Sequence, residues 1–329
     1  RECHMIGAIC RVRFTESLKL LANIRLLFAF SFFFSTLKLT VRHEFNSDEC
    51  IGDILVHEVY MNYAGKQILR FKVPPQLKCW TVDFPDYKPT QFSLDFSGKE
   101  WADPNIGEAG FNPKWNAVDG EVNRQSHEGE YKVVNGYPLN PSGRTGISGR
   151  GNRGKWGPNH AGDAVVTRWK RDHTNQIIHD KLTNLPILQF VSILRKDDNQ
   201  WAIPGGHVDV GEHVAAAVKR EFFEEALNSK YLSGNDIDSI EKSLNSFFEN
   251  GVEIYRGVVD DPRNTDNAWM ETVVYNFHDE SGEVLRNINF IAGDDAIGVK
   301  WLDISSTLKL FANHLTFIEK TVRKLKAYF

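Results

Sequence analysis

Residues 163–329 carry the regular part of the pattern. VVTRW (165–169) and ILQFVSILRK (187–196) are β-branched apolar runs and read as strands. WAIPGGHVDVGE (201–212) reads as a short strand entering a glycine turn. From Glu212 to Asn228 the spacing of Ala215, Val218 and Phe222 predicts a helix with one buried face. A second helix is predicted over Asp236–Glu249. Three further strands are predicted at EIYRGVVDD (253–261), WMETVVYNFHDE (269–280) and GVKWLDI (298–304). Within that last-but-one run, Trp269 reads as core. Phe311–Tyr328 closes the chain as an amphipathic helix, with Leu315, Ile318, Val322 and Leu325 on one stripe. Mixed strands with few helices predict an α/β sandwich.

Upstream the regularity is lost. Residues 67–140 are punctuated by proline, aromatics and turn formers, which favours short strands and ordered loops. Residues 141–162, PSGRTGISGRGNRGKWGPNHAG, are glycine-rich and carry Arg144, Arg150, Arg153 and Lys155. This stretch reads either as a linker between lobes or as a loop whose backbone N–H groups and arginines face phosphates. Residues 1–66 show no repeat and no motif. Within them, Leu26–Leu37 is uncharged and rich in Phe, and Arg11, Arg13, Lys19 and Arg25 precede it. A run of about 12 residues is too short to span a bilayer unaided, so no stable membrane span is expected. It fits the apolar part of a targeting segment, or a buried element. The expected organisation is an unassigned segment over 1–66 that is a candidate targeting sequence, an N-terminal lobe over 67–162 that contributes to a substrate cleft, and a catalytic domain over 163–329.

Length and composition narrow the class. A chain of 329 residues, 41% hydrophobic and 25% charged, suits two modest globular domains or one with a large extension. A net charge of -4 excludes the basic footprint of a nucleic-acid binder. An anionic substrate then requires a local positive element, either an arginine cluster or a metal. Cys3, Cys10, Cys50 and Cys79 form no CxxC pair and no zinc spacing, which points to a reducing compartment, cytoplasmic or mitochondrial.

The strongest chemical signal is GHVDVGEHVAAAVKREFFEEAL, Gly206–Leu227. Glu221, Glu224 and Glu225 share one helix face, one turn apart. Unaided, like charges there weaken the helix. A divalent cation reverses that sign, and Mg2+ favours a few carboxylates together with substrate phosphates. The bland alternative is a solvated acidic face. Glu212 near the helix start meets the favourable end of the macrodipole, and Arg220 can pair with a glutamate and fix its rotamer. Pro204-Gly205-Gly206 lets backbone approach a ligand closely, so a carbonyl near Gly205 is a further candidate ligand.

Gly206, Glu212 and Arg220-Glu221-Phe222-Phe223-Glu224-Glu225 stand at spacings that resemble the Nudix box. Leu227 and Asn228 replace the box's usual Gly and aliphatic residue. WADPNIGE, NPSGRTG, KWGPNHAGD, TRWKRD, WAIPGG, EEALNS, DDPRNTDNAWMET, AGDDA and KWLDI extend the likeness over roughly Ile68–Phe329. Together they resemble the ADP-ribose pyrophosphatase branch of the family, and its relative, the ADP-ribose-sensing tail of melastatin-type cation channels. In that branch EEALN is the usual ending.

The resemblance implies a Nudix α/β/α sandwich with a mixed sheet, preceded by a smaller strand- and loop-rich lobe. It implies metal-dependent hydrolysis of a nucleoside diphosphate sugar, ADP-ribose giving AMP and ribose 5-phosphate, with Mg2+ or a Mn2+ substitute. A small-molecule nucleoside diphosphate is the expected partner. The metal ligands implied are Glu221 and Glu225, with Glu224 as a third and Gly205 through its backbone. Arg220 would orient a glutamate, and Glu212 would reach the metal through water. Asp294 and Asp295 occupy the region of the general base, or an ordinary turn. Asp261, Arg263, Phe311, Asn313 and His314 would hold the nucleotide, with Arg144 and Thr145 reaching in. The alternatives are a non-catalytic ADP-ribose-binding module and a Nudix hydrolase for another nucleoside diphosphate derivative.

Overall fold

Short strands broken by proline and glycine make up the first part of the chain, as its punctuation predicts. The computed structural model describes residues 57–63, 65–229, 234–286, 288–293 and 295–329. The segment Leu26–Leu37 and Asp294 therefore lie outside the described residues. β1 (His57–Tyr63) and β2 (Lys66–Phe71) form an antiparallel hairpin. β3 (Thr90–Ser93) is followed by two antiparallel pairs of two residues each, β4 (Val118–Asp119) with β5 (Val122–Asn123) and β6 (Val133–Val134) with β7 (Tyr137–Pro138). β8 (Ile147–Gly151) then runs parallel to β3.

The remaining chain builds a mixed sheet. Its strands are β9 (Gly157–Trp169), β10 (Leu188–Arg195), β11 (Trp201–Ala202), β12 (Gly205–His207), β13 (Val252–Val258), β14 (Ala268–Asp279) and β15 (Ala296–Asp303). The order is β11-β10-β9-β14-β13, with β15 on β10 and β12 on β9. Only β9 and β14 pair in parallel within this sheet. The helices are α1 (Val214–Leu227), α2 (Gly234–Glu249) and α3 (His314–Leu325).

The two-residue period of the strands sorts the core into two layers. Ala164 and Val166 of β9 pack with Phe222, Phe223 and Leu227 of α1 and Leu244 of α2. Val165 and Trp169, on the opposite face, pack with Phe317, Ile318 and Val322 of α3. Leu188 and Phe190 of β10 join the second cluster and Val191 the first. Each large side chain removed from water in this way stabilises the fold by about 1.5–3 kcal/mol. The result is the α/β/α sandwich the sequence predicts. Among the described residues, no helix is long and apolar enough to cross a membrane.

The N-terminal lobe has little regular structure and is fixed by buried polar contacts. Arg124 grips both oxygens of Asp103, at 2.8 and 2.9 Å, and the Trp156 amide donates to Asp103 at 2.8 Å. Asp266 accepts from Tyr87 Oη at 2.6 Å and from the Thr145 amide and hydroxyl at 2.7 and 2.8 Å. The chain of this lobe enters the sheet at Gly157, so residues 162 and 163, the expected domain boundary, sit inside β9.

The glycine-rich stretch is not a free linker. β8 runs through it, and its arginines turn inward. Arg144 donates to the carbonyls of Leu77, Cys79 and Val82 at 2.8, 2.7 and 3.0 Å, beneath Trp80, Phe84 and Tyr87. Arg150 binds the carbonyls of Asp103 and Gly154. A lobe of irregular backbone leaves many carbonyls without ladder partners, and one guanidinium supplies five donors.

Candidate active site

The glutamate-rich face of α1 meets the sheet at the Gly205-Gly206 turn. Gly205 and Gly206 pair with Asp163 and Gly162 of β9, and the Ala164 amide donates to Pro204 O at 2.9 Å. This clamp holds two glycines directly under carboxylates. A Cβ added at Gly206 would stand 2.3 Å from the Glu221 carboxyl carbon, and one at Gly205 would stand 2.2 Å from Asp163 Oδ1. Only glycine permits that approach. The Gly205 amide donates to Glu225 Oε2 at 2.9 Å.

Arg220 organises the exposed edge of the face. Its Nε and Nη2 bind Glu212 at 3.0 and 2.9 Å, Nη1 binds Glu221 Oε1 at 2.8 Å, and Nη2 also donates to His207 O at 2.8 Å. Glu224 lies 3.6 Å from the same guanidinium. Hydrogen bonding to Glu212 raises the Arg220 pKa, and the bonds from Arg220 lower that of Glu212. Glu212 also accepts from the Asp209 amide at 3.0 Å, so the loop after β12 is folded back onto α1. The helix itself runs from Val214 to Leu227, with His213 in the N-cap position and making no side-chain cap bond. Asn228, at the box's usual aliphatic position, takes the left-handed conformation at the helix C-terminus, φ 53°, which asparagine tolerates, so the turn forms although Leu227 replaces the usual glycine.

Burial pushes Glu225 well above the usual carboxylate range, with Glu221 and Asp163 adding to the effect. Burial likewise raises Asp163 to about 6, against the bond from Thr272. Carboxylates gathered this closely destabilise one another unless protons or a cation compensate. The donor set is hard oxygen, which fits a divalent ion of the magnesium class. Glu221, Glu225 and Asp163 are thus the residues that would hold one. Sequence reasoning missed Asp163. Its only local signal was a lone acid at the head of the apolar run that forms β9; the pairing that sets it opposite the glycine turn is not local.

The structure also gathers the five residues predicted to hold a nucleotide. Arg263 chelates Asp261 at 2.9 and 2.7 Å, and its guanidinium lies 5.7 Å from the Phe311 ring centre. Arg195 covers the same ring at 4.2 Å. Asn313 Oδ1 accepts from the Asp260 amide at 3.3 Å, and His314 meets Phe311 edge-on. Arg144 and Thr145 stand apart from this group, committed to the 77–82 loop and to Asp266 respectively. Asp295 is exposed on the turn before β15, a loop that packs against the end of α1 through Gly293 N and Glu225 O at 3.1 Å.

His314 is engaged inside the protein. Its Nδ1 accepts the Ile203 amide at 3.0 Å, just before the glycine turn, so Nε2 carries the proton. Burial lowers its pKa from 6.5 to about 3. The unfolded chain then takes up a proton that the fold refuses. Stability is complete above pH 6.5 and falls by about 1.4 kcal/mol per pH unit below it, down to the folded pKa. His314→Gln removes this contribution. Its melting temperature is expected to drop less than that of the wild type between pH 8 and pH 5, and equal drops by calorimetry would remove His314 from the buried network.

Beside the box loop lies a cavity of about 850 Å³, within the range of small-molecule sites. The lobe and β9 contribute Trp101, His127, Lys155, Asn159 and His160, and residues 207–214 form the facing wall. Of these, only Lys155 and Glu212 were singled out in sequence.

Residues 185–324 match the model of the NUDIX domain, and residues 73–157 match that of the NUDT9-like N-terminal domain. Over 269 residues the chain is 50% identical to the mitochondrial ADP-ribose pyrophosphatase of Rattus norvegicus, covering 81% of this chain and 77% of that protein. It is 45% identical over 273 residues to a transient receptor potential cation channel subfamily M member-like 2 of Nematostella vectensis, and 31% over 283 residues to the subfamily M member 2 channel of Mus musculus. These cover 81% and 82% of this chain but 17% and 18% of the channels.

Proposed function

The chain belongs to the Nudix hydrolase family, and from that premise we propose that it cleaves the pyrophosphate bond of ADP-ribose, giving AMP and ribose 5-phosphate. The observation that carries this reading is the convergence of Glu221, Glu225 and Asp163 on two glycines that leave no room for a side chain. When bound there, a divalent cation, Mg2+ or its substitute Mn2+, supplies charge for the phosphate oxygens and acidifies water. Arg220 fixes Glu221 and Glu212, and the Gly205 amide fixes Glu225. Arg263, Phe311 and Asn313 supply a cation, an aromatic face and an amide suited to a nucleotide. Asp295 is retained as a general-base candidate supplied from outside the box. Catalysis in such a site is mostly positioning and charge stabilisation.

A panel of ADP-ribose, NADH, diadenosine polyphosphates and nucleoside triphosphates with Mg2+ tests the substrate. ADP-ribose is expected to give the highest kcat/KM; another substrate in first place rejects the assignment. Similarity to the channels supports a second reading, binding without cleavage, which AMP release in the same assay excludes. For the compartment we infer a mitochondrial address, on the likeness to the mitochondrial rat relative and the basic, Phe-rich segment before residue 40; import into isolated mitochondria checks it.

Positioning can be tested at the turn. Gly206→Ala forces the Glu221 carboxylate to move. Because displacements of about 1 Å in such sites cost about 100-fold, kcat is expected to fall by that order while the thermal transition stays cooperative. Near wild-type kcat would show that Glu221 is not held against the turn for catalysis.

A further inference from the structure

The cavity wall carries a second cluster, apart from the carboxylates of α1. His160 of β9 and Glu271 of β14 are register partners in the parallel strand pair. His127 reaches over them from the lobe, its ring 5.0 Å from that of His160. One ligand atom from each of the three lies within 4.8 Å of the others. Both histidines line the cavity.

Two features separate this cluster from an ordinary buried polar network. First, His127 Nε2 and both ring nitrogens of His160 are shielded from solvent and make no well-formed hydrogen bond. Shielded nitrogens without a good partner destabilise the fold unless something binds them. Burial lowers the pKa of both rings, to about 4 at His127, which favours the neutral form a metal binds; at His160 the charge of Glu271 and the carbonyls of Asn123 and Gln125 oppose that shift. Second, Glu271 is fully buried and firmly oriented. Ser126 Oγ and Trp269 Nε1 donate to its Oε1 at 2.6 and 2.7 Å, and the His127 amide donates to Oε2 at 2.6 Å. Oε1 is filled by its two bonds, whereas Oε2 keeps lone-pair capacity beyond the one it accepts.

We propose that His127, His160 and Glu271 form a transition-metal site of the zinc class in the wall of the cavity, chemically distinct from the all-oxygen site on α1. Two imidazoles and one carboxylate are donors zinc selects, whereas Mg2+ prefers oxygen alone. Zinc bonds of about 2.0–2.2 Å require the donors to close by about 1 Å, within the reach of side-chain torsions. Ser126 and Trp269 hold the carboxylate as outer partners hold metal ligands elsewhere.

The test uses the whole chain, freed of metal by a chelator and kept in excess Mg2+ so that the α1 carboxylates are supplied. Zinc alone is titrated against a chromophoric chelator. One equivalent is expected to bind. His160→Ala and His127→Ala each lower its affinity by at least about tenfold, the smallest loss usual for a disturbed metal shell, while Glu221→Gln leaves it unchanged. Cobalt in place of zinc gives visible ligand-field bands that vanish in both histidine variants. Zinc affinity unchanged in both histidine variants, affinity lost in Glu221→Gln, or no bound equivalent overturns the proposal; His127→Ala, on the lobe loop, decides the matter if His160→Ala does not fold. The readout is binding, so it stands independently of whether ADP-ribose is the substrate.

Discussion

Glu225→Gln is expected to lower kcat by about 1,000-fold while raising the melting temperature of the metal-free protein at neutral pH. The first effect follows from removing one anionic ligand at the point where phosphate charge must be stabilised; losing a single electrostatic stabiliser of that kind costs about 10²–10³ in kcat. The second follows from burial. Glu225 sits beside Glu221 and Asp163, and its folded pKa is raised well above 4.5. A carboxyl with a raised folded pKa binds its proton more tightly in the fold than in the unfolded chain. Its stabilising contribution is present below pH 4.5 and is lost as pH rises through the folded value. Glutamine removes that loss. Mg2+ binds only the fold and stabilises the wild type by mass action, so the order of the two proteins reverses when Mg2+ replaces EDTA. Thermal scans at pH 7.5 in both conditions, with kcat for AMP release, check both halves. A variant that turns over normally, or that still gains the full Mg2+ stabilisation, removes Glu225 from the metal site.

The sandwich was legible because its strands and helices obey strong periods. Val165 and Val166 point to opposite layers, and Val218 and Phe222 recur on one helix face. The carboxylates of α1 were legible for the same reason: helical spacing places Glu221, Glu224 and Glu225 together whatever surrounds them. What could not be read locally was pairing between distant segments. Asp163 joins the site only because β12 pairs with β9 across 42 residues of sequence, Asp163 facing Gly205. Arg144 and Thr145 looked available for phosphate because arginine and threonine in a glycine-rich loop are chemically suited to it. The lobe's loop carbonyls and Asp266 claim them instead. The cavity's His127 and His160 come from segments 33 residues apart and become neighbours only when the lobe folds onto the sheet.

Asp261→Ala is expected to destabilise the fold by about 3–5 kcal/mol, the usual cost of stripping one partner from a buried ion pair. Asp261 is buried between two guanidinium groups, Arg263 at 2.7 Å and Arg153 at 2.7 Å. Arg153 is itself shielded from water, and its contact with Asp261 is close but not aligned as a hydrogen bond. Its positive charge therefore depends on the nearby carboxylate, which the two arginines hold well below the ordinary range against the effect of burial. Without Asp261 two cations face each other with no anion between them. For a domain of this size the expected fall in melting temperature is about 10 °C. If Asp261 served only as a nucleotide contact, the same variant would raise KM and leave the transition unmoved. Arg153→Met separates the two causes. In that background Asp261→Ala leaves one fewer buried charge uncompensated, so the second substitution is expected to cost less than it does alone. Equal costs in the two backgrounds would show that Arg153 and Asp261 do not stabilise one another, and that Arg263 alone accounts for the carboxylate's place in the fold.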